Sequence, residues 1–222
     1  MSGSSNLSPI SQTNYGTAYS SAAWDIRHSL TTNFNYELPF GRGKQFGSGM
    51  SRAADAILGG WQMNGILTMR TGQPLTLAGT ACHGVWNRCL PDYAPGYTGN
   101  GNSAPPGGRT PNEYFDTSAY VEAFSNQAAG IATGGDVGLQ SITGPPTKTL
   151  DFSIFKDFRF SERFHAQFRG EAVNLTNFVV LSQPDVSIGD SKTYGGNGLF
   201  GAITSSVAGT ERHLQFSIRL MF

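Results

Sequence analysis

The sequence predicts an all-β protein: about five long antiparallel strands that form one segment of a larger transmembrane β-barrel. Three observations predict it. Apolar and polar residues alternate in five segments, short and long connections alternate between them, and aromatic residues recur at one end of the segments. Because strand side chains point to opposite faces in turn, each segment has an apolar and a polar face. Each is about 11 to 13 residues long, enough for a tilted strand to cross a bilayer.

Each strand is predicted from its own alternation. The last is the clearest, since apolar residues occupy every second position up to the terminal phenylalanine and only Met221 departs from the pattern. In the other segments Ile66 is out of phase, and Phe155 and Lys156 exchange faces. The predicted strands are 28–40, 59–71, 149–160, 163–173 and 212–222.

The connections between the strands differ in length. Residues 161–162 make a tight turn, and the compact connection 41–58 allows a short helix at its end. Residues 72–148 and 174–211 are long and rich in Gly, Pro, Asn, Ser and Thr. Outer-membrane barrels have short periplasmic turns and long extracellular loops, whereas such loops are uncommon in compact soluble domains. We therefore expect both long connections to be extracellular, and residues 1–27 to be the remnant of another extracellular loop.

Aromatic residues lie at the strand ends that adjoin the short connections and the C-terminus. In a membrane barrel, girdles of aromatic residues mark the two interfaces between lipid and water. The pattern predicts a lower girdle made of Phe40, Trp61, Phe158, Phe160, Phe164 and Phe222.

Composition is compatible with this fold and argues against a nucleic-acid-binding protein and against a membrane protein with spanning helices. Charged residues make up 14% of the chain, against about 25% in ordinary soluble domains. The net charge is zero, so no nucleic-acid partner is expected. No apolar run approaches the ~18 residues of a spanning helix. The first residues lack a signal-peptide pattern, so for an exported protein we expect a segment before Met1.

Five stretches are informative together, although none is specific alone: Phe34–Lys44, Gly59–Leu67, Tyr114–Tyr120, Leu150–Phe158 and Phe200–Thr204. With the closing strand, they resemble TonB-dependent outer-membrane receptors. More narrowly, they are similar to the subgroup that carries a carboxypeptidase-regulatory-like domain ahead of the plug. The resemblance covers nearly the whole chain from Asp25 onward.

The resemblance implies a barrel of about 22 strands with an internal plug, located in the cell outer membrane. It implies import of a scarce nutrient of the siderophore, cobalamin, glycan or peptide class, with energy from the inner-membrane TonB complex. The chain contains no plug, so it corresponds to the C-terminal portion of such a receptor. Alone it is not expected to transport, and it would meet the TonB complex only through the missing plug.

The expected partners are outer-membrane lipid, the barrel-assembly machinery and an unknown small nutrient, and no cofactor is expected. The last strand carries the pattern that resembles the signal read by the assembly machinery. Its residues are Phe216, Ile218, Leu220 and Phe222.

Eight charged residues fall on the predicted lumen side of the strands and are the candidates for substrate contact. We favour pairing between strands and contacts to a plug over direct substrate binding, because a barrel interior is polar for solvation reasons alone. The candidates are Glu37, Arg70, Asp151, Asp157, Arg159, Arg169, Glu171 and Arg219.

Cys82 and Cys89 lie in the first long connection, where an oxidising exterior favours a small disulfide loop. Zinc binding by Cys82, His83 and Cys89 is a weaker interpretation, because the spacing fits no standard ligand pattern. Free thiols are the remaining alternative. No metal site is therefore predicted.

Enzymatic activity is not predicted. The four histidines are scattered, and neither a Gly-x-Ser-x-Gly nor a His-Glu-x-x-His motif occurs. Gly41–Lys44 lacks the spacing of a phosphate-binding loop and predicts a turn. The alternative to a transporter barrel is an extracellular β-sandwich adhesin or glycan-binding module, whose strands would bury their apolar faces against a second sheet.

Overall fold

A computed structural model describes residues 19–80, 89–123, 135–161 and 163–222. This part of the chain is all-β, apart from one α-helix and short 3₁₀ turns, and divides into two compact units. The sheet unit is made of His28–Arg70, Thr147–Val180 and Val207–Phe222. The loop unit is made of Thr71–Pro146 and Leu181–Ser206, with the described part of the N-terminal segment.

Nine strands and one helix, α1 (Arg52–Leu58), are present in the described residues. The five longest strands form a single antiparallel sheet, and each pairs with the next long strand along the chain. Among the described residues the sheet is open, because its first and last strands each pair on one side only. In chain order the strands are β1 (Ser29–Glu37), β2 (Trp61–Arg70), β3 (Pro74–Leu75), β4 (Asp92–Tyr93), β5 (Tyr120–Val121), β6 (Ile142–Thr143), β7 (Thr147–Arg159), β8 (His165–Val173) and β9 (His213–Met221).

The five long strands of the sheet, β1, β2, β7, β8 and β9, match the five predicted from the alternation, but their ends differ. β1 stops at Glu37 rather than at residue 40, shortly before Pro39, which has no N–H to donate to a ladder. β8 starts at His165 rather than at residue 163, because the backbone N–H of Phe160 donates to the carbonyl of Phe164 at 3.0 Å and closes the turn there.

Helix α1 lies in the compact connection between β1 and β2. The Ser51 side chain caps its start by accepting from the backbone N–H of Ala54 at 3.2 Å. At its end the N–H of Gly59 donates to the carbonyl of Asp55 at 2.9 Å. The Asp55 carboxylate also accepts from the backbone N–H of Arg42 at 2.7 Å, which ties the helix to the start of the connection.

The loop unit is held by a core rather than by long ladders. Its only ladders within the described residues are two-residue pairs, β3 with β6 and β4 with β5. Both long connections contribute to one buried cluster, so they fold together rather than as separate loops. The cluster consists of Leu77, Tyr114, Phe115, Ala119, Tyr120, Val137, Ile142, Ile188, Phe200 and Ile203.

Candidate functional site: a two-faced wall and a structured loop unit

The register assigns the residues of the five long strands to two faces, because residues directly opposite each other in adjacent strands share a face. One face is predominantly apolar. On it, Phe34 of β1 is 41% exposed and Phe216 of β9 is 72% exposed. A sheet with one large, exposed apolar face and one polar face is typical of the wall of a transmembrane β-barrel. Its middle row is Phe34, Gly65, Phe152, Ala172 and Leu214.

Two lysines of β7, Lys148 and Lys156, interrupt the apolar face near its two ends. They lie eight positions apart on the strand, which corresponds to about 27 Å along it and to roughly 20 Å in height at a barrel tilt of about 40°. Between them the face carries Leu150, Phe152 and Ile154. The lysines thus bracket a band close to the ~25 Å of an outer-membrane barrel.

Lys156 is buried although it lies on the apolar face. Its ammonium group donates to the carbonyl of Asp55 at 3.3 Å and to the carbonyl of Gly59, at the C-terminal end of α1. The indole N–H of Trp61, opposite Lys156 in the register, donates to the carbonyl of Ile57 at 2.9 Å. Two side chains of the apolar face therefore donate to backbone carbonyls at the end of α1, and the carbonyl of Asp55 also accepts from the N–H of Gly59.

The aromatic residues predicted as a lower girdle all lie at one end of the sheet, here called the turn edge. Trp61 and Phe158 belong to the apolar face of β2 and β7. Phe160 and Phe164 lie in the turn between β7 and β8 rather than in strands, with ring centroids 6.1 Å apart. Phe40 lies beyond β1 and contacts Phe46, and Phe222 follows β9.

All eight charged candidates lie on the polar face, as their register positions show. They do not form one cluster. Arg169 pairs with Glu171 at 3.3 Å and lies over the ring of Phe155, 5.3 Å from its centroid. Near the turn edge, Asp157 accepts from the side-chain amide of Gln167 at 2.9 Å, and Gln167 is opposite Arg219.

The remaining candidates have separate environments. Glu37 forms an ion pair with Lys44 of the β1–β2 connection at 2.8 Å. Asp151 accepts from the backbone N–H of Asn174 at 2.9 Å, a structural contact just after β8. Arg70 and Arg159 are exposed near opposite ends of the sheet. The polar face therefore carries four acids and four arginines without a bias to either sign.

The residues of the predicted assembly signal follow one face of β9 to the end of the chain. Phe216, Ile218 and Leu220 are between 58% and 72% exposed, and Phe222 is 98% exposed. Because β9 pairs only with β8 in the described part of the chain and forms an edge of the sheet, these side chains and the outer backbone edge of β9 are exposed together.

Two stretches that carry the family resemblance meet in the loop unit. The backbone N–H of Tyr114 donates to the carbonyl of Gly201 at 2.8 Å, and the rings of Phe115 and Phe200 pack edge to face with centroids 5.3 Å apart. Asp116 accepts from the backbone N–H of Ser118 at 3.1 Å and caps the 3₁₀ turn between them. The two motifs therefore pack against each other inside the loop unit.

The loop unit also contains buried tyrosines and a disulfide-bonded cysteine. Burial raises the pKa of Tyr120 well above its usual value, with smaller contributions from Tyr93, Tyr97 and Asp116. Burial also raises the pKa of Tyr114, against the opposing effect of Arg109, whose guanidinium lies over the Tyr114 ring at 4.7 Å. Cys89 is disulfide-bonded, whereas its predicted partner Cys82 and the zinc candidate His83 lie outside the described residues.

Two buried polar residues were not predicted from the sequence. Glu122 is fully buried and accepts from the backbone N–H and the hydroxyl of Thr80, at 3.0 and 2.5 Å. Asn174 has a positive φ of 49° and donates its side-chain amide to the carbonyls of Phe178 and Thr210. An asparagine directly after a strand is a signal for such a left-handed turn, whereas the sequence around Glu122 gives no signal of burial.

The described residues contain no group of three or more His, Cys, Asp or Glu side chains placed to hold a metal ion. None of the helices in this part of the chain has the length and hydrophobicity needed to cross a membrane. A family model described as an outer membrane beta barrel domain matches residues 1–215. No curated protein and no solved structure matches the chain.

Proposed function

Since the chain belongs to the outer membrane β-barrel family and is located in the outer membrane, we propose that it is the C-terminal part of a TonB-dependent receptor that imports a scarce nutrient. The observation that carries this proposal is the loop unit. Both long connections leave the sheet at the edge opposite the turn edge, and together they bury one core. A preorganised loop surface lowers the cost of binding a ligand, which a receptor needs and a general diffusion pore does not.

The proposed nutrient is of the siderophore, cobalamin, glycan or peptide class. The balance of acids and arginines on the polar face favours a lumen that does not select by the sign of charge. Most of these side chains have contacts within the sheet unit, so substrate recognition is assigned to the loops rather than to the wall. We propose no catalytic activity and no cofactor.

The proposed partners follow from the same assignment. The apolar face contacts outer-membrane lipid, and the last strand is read by the barrel-assembly machinery. In this proposal the TonB complex is contacted by a plug that this sequence does not contain. These residues alone therefore do not transport.

The β-sandwich alternative is disfavoured by the sheet itself. A sandwich would bury the apolar faces of its strands against a second sheet. Within the described residues there is one long-stranded sheet, and Ile218 on its apolar face is 71% exposed. The other two sheets have only two residues in each strand.

The experiment is an uptake measurement with the protein as it is assembled in the outer membrane of its host. Labelled siderophore, cobalamin, oligosaccharide and peptide are offered to cells with and without the gene, before and after a protonophore collapses the inner-membrane gradient. We expect one class to be taken up only by energised cells that carry the gene. Gene-dependent uptake that continues unchanged without the gradient indicates a passive pore and overturns the TonB assignment.

A further inference from the structure

The turn edge of the sheet contains a basic pocket that the transport proposal does not use. It has a volume of about 450 Å³ and lies between the end of β7 and the β1–β2 connection with helix α1. Five cationic side chains line it, against two carboxylates: Arg42, Lys44, Arg52, Lys156 and Arg159. The whole chain has only 15 Lys and Arg residues and no net charge, so this is a local concentration of positive charge.

Two of these cations, Arg42 and Arg52, are available to a lipid ligand. Lys156 is occupied by the carbonyls of α1, and Lys44 is paired with Glu37. The guanidinium groups of Arg42 and Arg52 belong to exposed residues, and within the described part of the chain no group accepts a hydrogen bond from them or stacks on them. Arg159 is exposed too, but its register position places it on the polar face of the sheet. The two carboxylates are engaged, since Asp55 accepts from Arg42 N–H and Asp157 from Gln167. Planar guanidinium groups are well suited to hold a phosphate through paired hydrogen bonds.

Apolar groups surround the same cations. Phe158 of the apolar face and Phe160, which is 68% exposed, line the pocket. Helix α1 also exposes Ile57 and Leu58, at 67% and 58%. Cations next to exposed apolar side chains, at the end of a membrane-facing band, match the boundary between a lipid headgroup and its acyl chains. These apolar side chains would not contribute to the binding of a free, hydrated anion.

We propose that this pocket binds the phosphate headgroup of an anionic phospholipid in the leaflet at the turn edge, with Arg42 and Arg52 as its ligands. In an outer-membrane barrel the short-turn edge is periplasmic, so the leaflet is the inner one. The lipid would anchor the β1–β2 connection and helix α1 to the membrane surface. This inference needs only the outer-membrane location and the sheet, and it is independent of the nutrient and of TonB coupling.

The test measures lipid retention by the protein assembled in the outer membrane and extracted in mild detergent. After delipidation, native mass spectrometry follows the binding of phosphatidylglycerol, of phosphatidylcholine, and of inorganic phosphate. Wild-type protein should retain phosphatidylglycerol over phosphatidylcholine. The double variant Arg42→Gln, Arg52→Gln should lose at least about tenfold in retention, since one hydrogen bond to a charged group contributes a factor of roughly that size.

The matched control is Arg27→Gln, Arg212→Gln, which removes the same charge from two exposed arginines outside the pocket and should retain the lipid. If the first double variant is not recovered in the membrane, the single change Arg42→Gln, outside every strand, takes its place with the same expected direction. Equal retention of both lipids overturns the proposal, as does equal loss in the pocket and control variants. Complete displacement by an equal concentration of inorganic phosphate identifies a free-anion site and overturns the lipid assignment.

Discussion

The sheet unit and the loop unit place their apolar side chains in opposite ways. In the sheet unit, Phe216 and Ile218 remain more than 70% exposed. In the loop unit, Phe115 and Leu77 are fully buried. The first arrangement is stable only where the surroundings are apolar, whereas the second excludes water by itself. The comparison indicates that the sheet unit is adapted to an apolar environment and the loop unit to water.

The backbones of the two units differ for the same reason. In the sheet unit, ladders between long strands satisfy the N–H and C=O groups, which a lipid environment requires. In the loop unit, paired strands are two residues long, and side chains such as Asp116 and Glu122 take over part of the hydrogen bonding. Changes that damage a core should therefore affect the loop unit, and changes of polarity should affect the sheet unit.

The largest effect is expected for Phe115→Ala. Removing this fully buried ring should destabilise the loop unit by about 3–5 kcal/mol. Limited proteolysis and hydrogen exchange should show the segment 71–146 opening, while the amount of protein inserted in the membrane is unchanged. Loss of insertion would mean that the two units do not fold independently.

Phe152→Arg tests the sheet unit. Phe152 lies in the middle row of the apolar face, where an arginine facing lipid costs about 2–4 kcal/mol. Recovery in the outer-membrane fraction should fall. The control is Ser153→Arg on the polar face, which should be tolerated. A similar fall for both variants would contradict the assignment of faces.

The Cys82–Cys89 pairing remains a prediction, and it concerns the loop unit only. A disulfide that closes so short a loop contributes roughly 2–3 kcal/mol. Mass spectrometry of unreduced protein should find the two cysteines in one crosslinked peptide, and reduction should make the loop unit more sensitive to protease. Two free thiols in protein taken directly from the outer membrane would remove both the bond and one argument for an extracellular loop.

A matched pair of glycines separates backbone strain from packing. Gly201 and Gly209 have nearly the same φ, 81° and 79°, so alanine should cost about 1–2 kcal/mol at each from strain alone. A Cβ at Gly201 would lie 2.5 Å from Thr117 Cγ2, whereas at Gly209 nothing lies within 4 Å. The thermal stability of the Gly201→Ala protein should therefore be lower than that of Gly209→Ala. Equal stabilities would show that the Tyr114–Tyr120 segment is not tightly packed against Gly201.

The smallest effect is expected from a modest rise in pH. Burial raises the pKa values of Tyr114 and Tyr120 above the ordinary value of 10.0. Because folding favours the protonated side chains, their stabilising effect is complete below about pH 10 and is lost as the pH rises through the folded-state pKa. Near-ultraviolet circular dichroism should show the loop unit loosening above pH 10 before the far-ultraviolet strand signal falls. Simultaneous loss of both signals would contradict the prediction.

Much of the sheet was predictable from local pattern. The alternation from Thr149 to Phe160 predicted a strand because a strand has a period of two, and the exchange of faces at Phe155 and Lys156 is present in the register. Strand ends were less predictable. They depend on single hydrogen bonds, such as the turn contact of Phe160 with Phe164, which leaves no periodic signal.

The environment of the candidate residues was only partly predictable. Period two placed all eight charged residues on one face, but which of them meet depends on the register between strands. Lys156 shows this limit, since its partners are backbone carbonyls about 100 positions earlier in the chain. The shared core of the two long connections was not predicted at all, because Gly- and Pro-rich segments have no period that distinguishes a folded loop from an open one.

The sequence by itself determined the fold class, the two faces of the wall and the positions of the aromatic residues along it, because these properties repeat every second residue. Only the tertiary structure decided that the Tyr114–Tyr120 and Phe200–Thr204 stretches pack together, that α1 covers Lys156, and that three arginines surround one pocket. These are contacts between distant segments. They depend on the tertiary fold, because local periodicity does not predict which segments far apart in the sequence will contact each other.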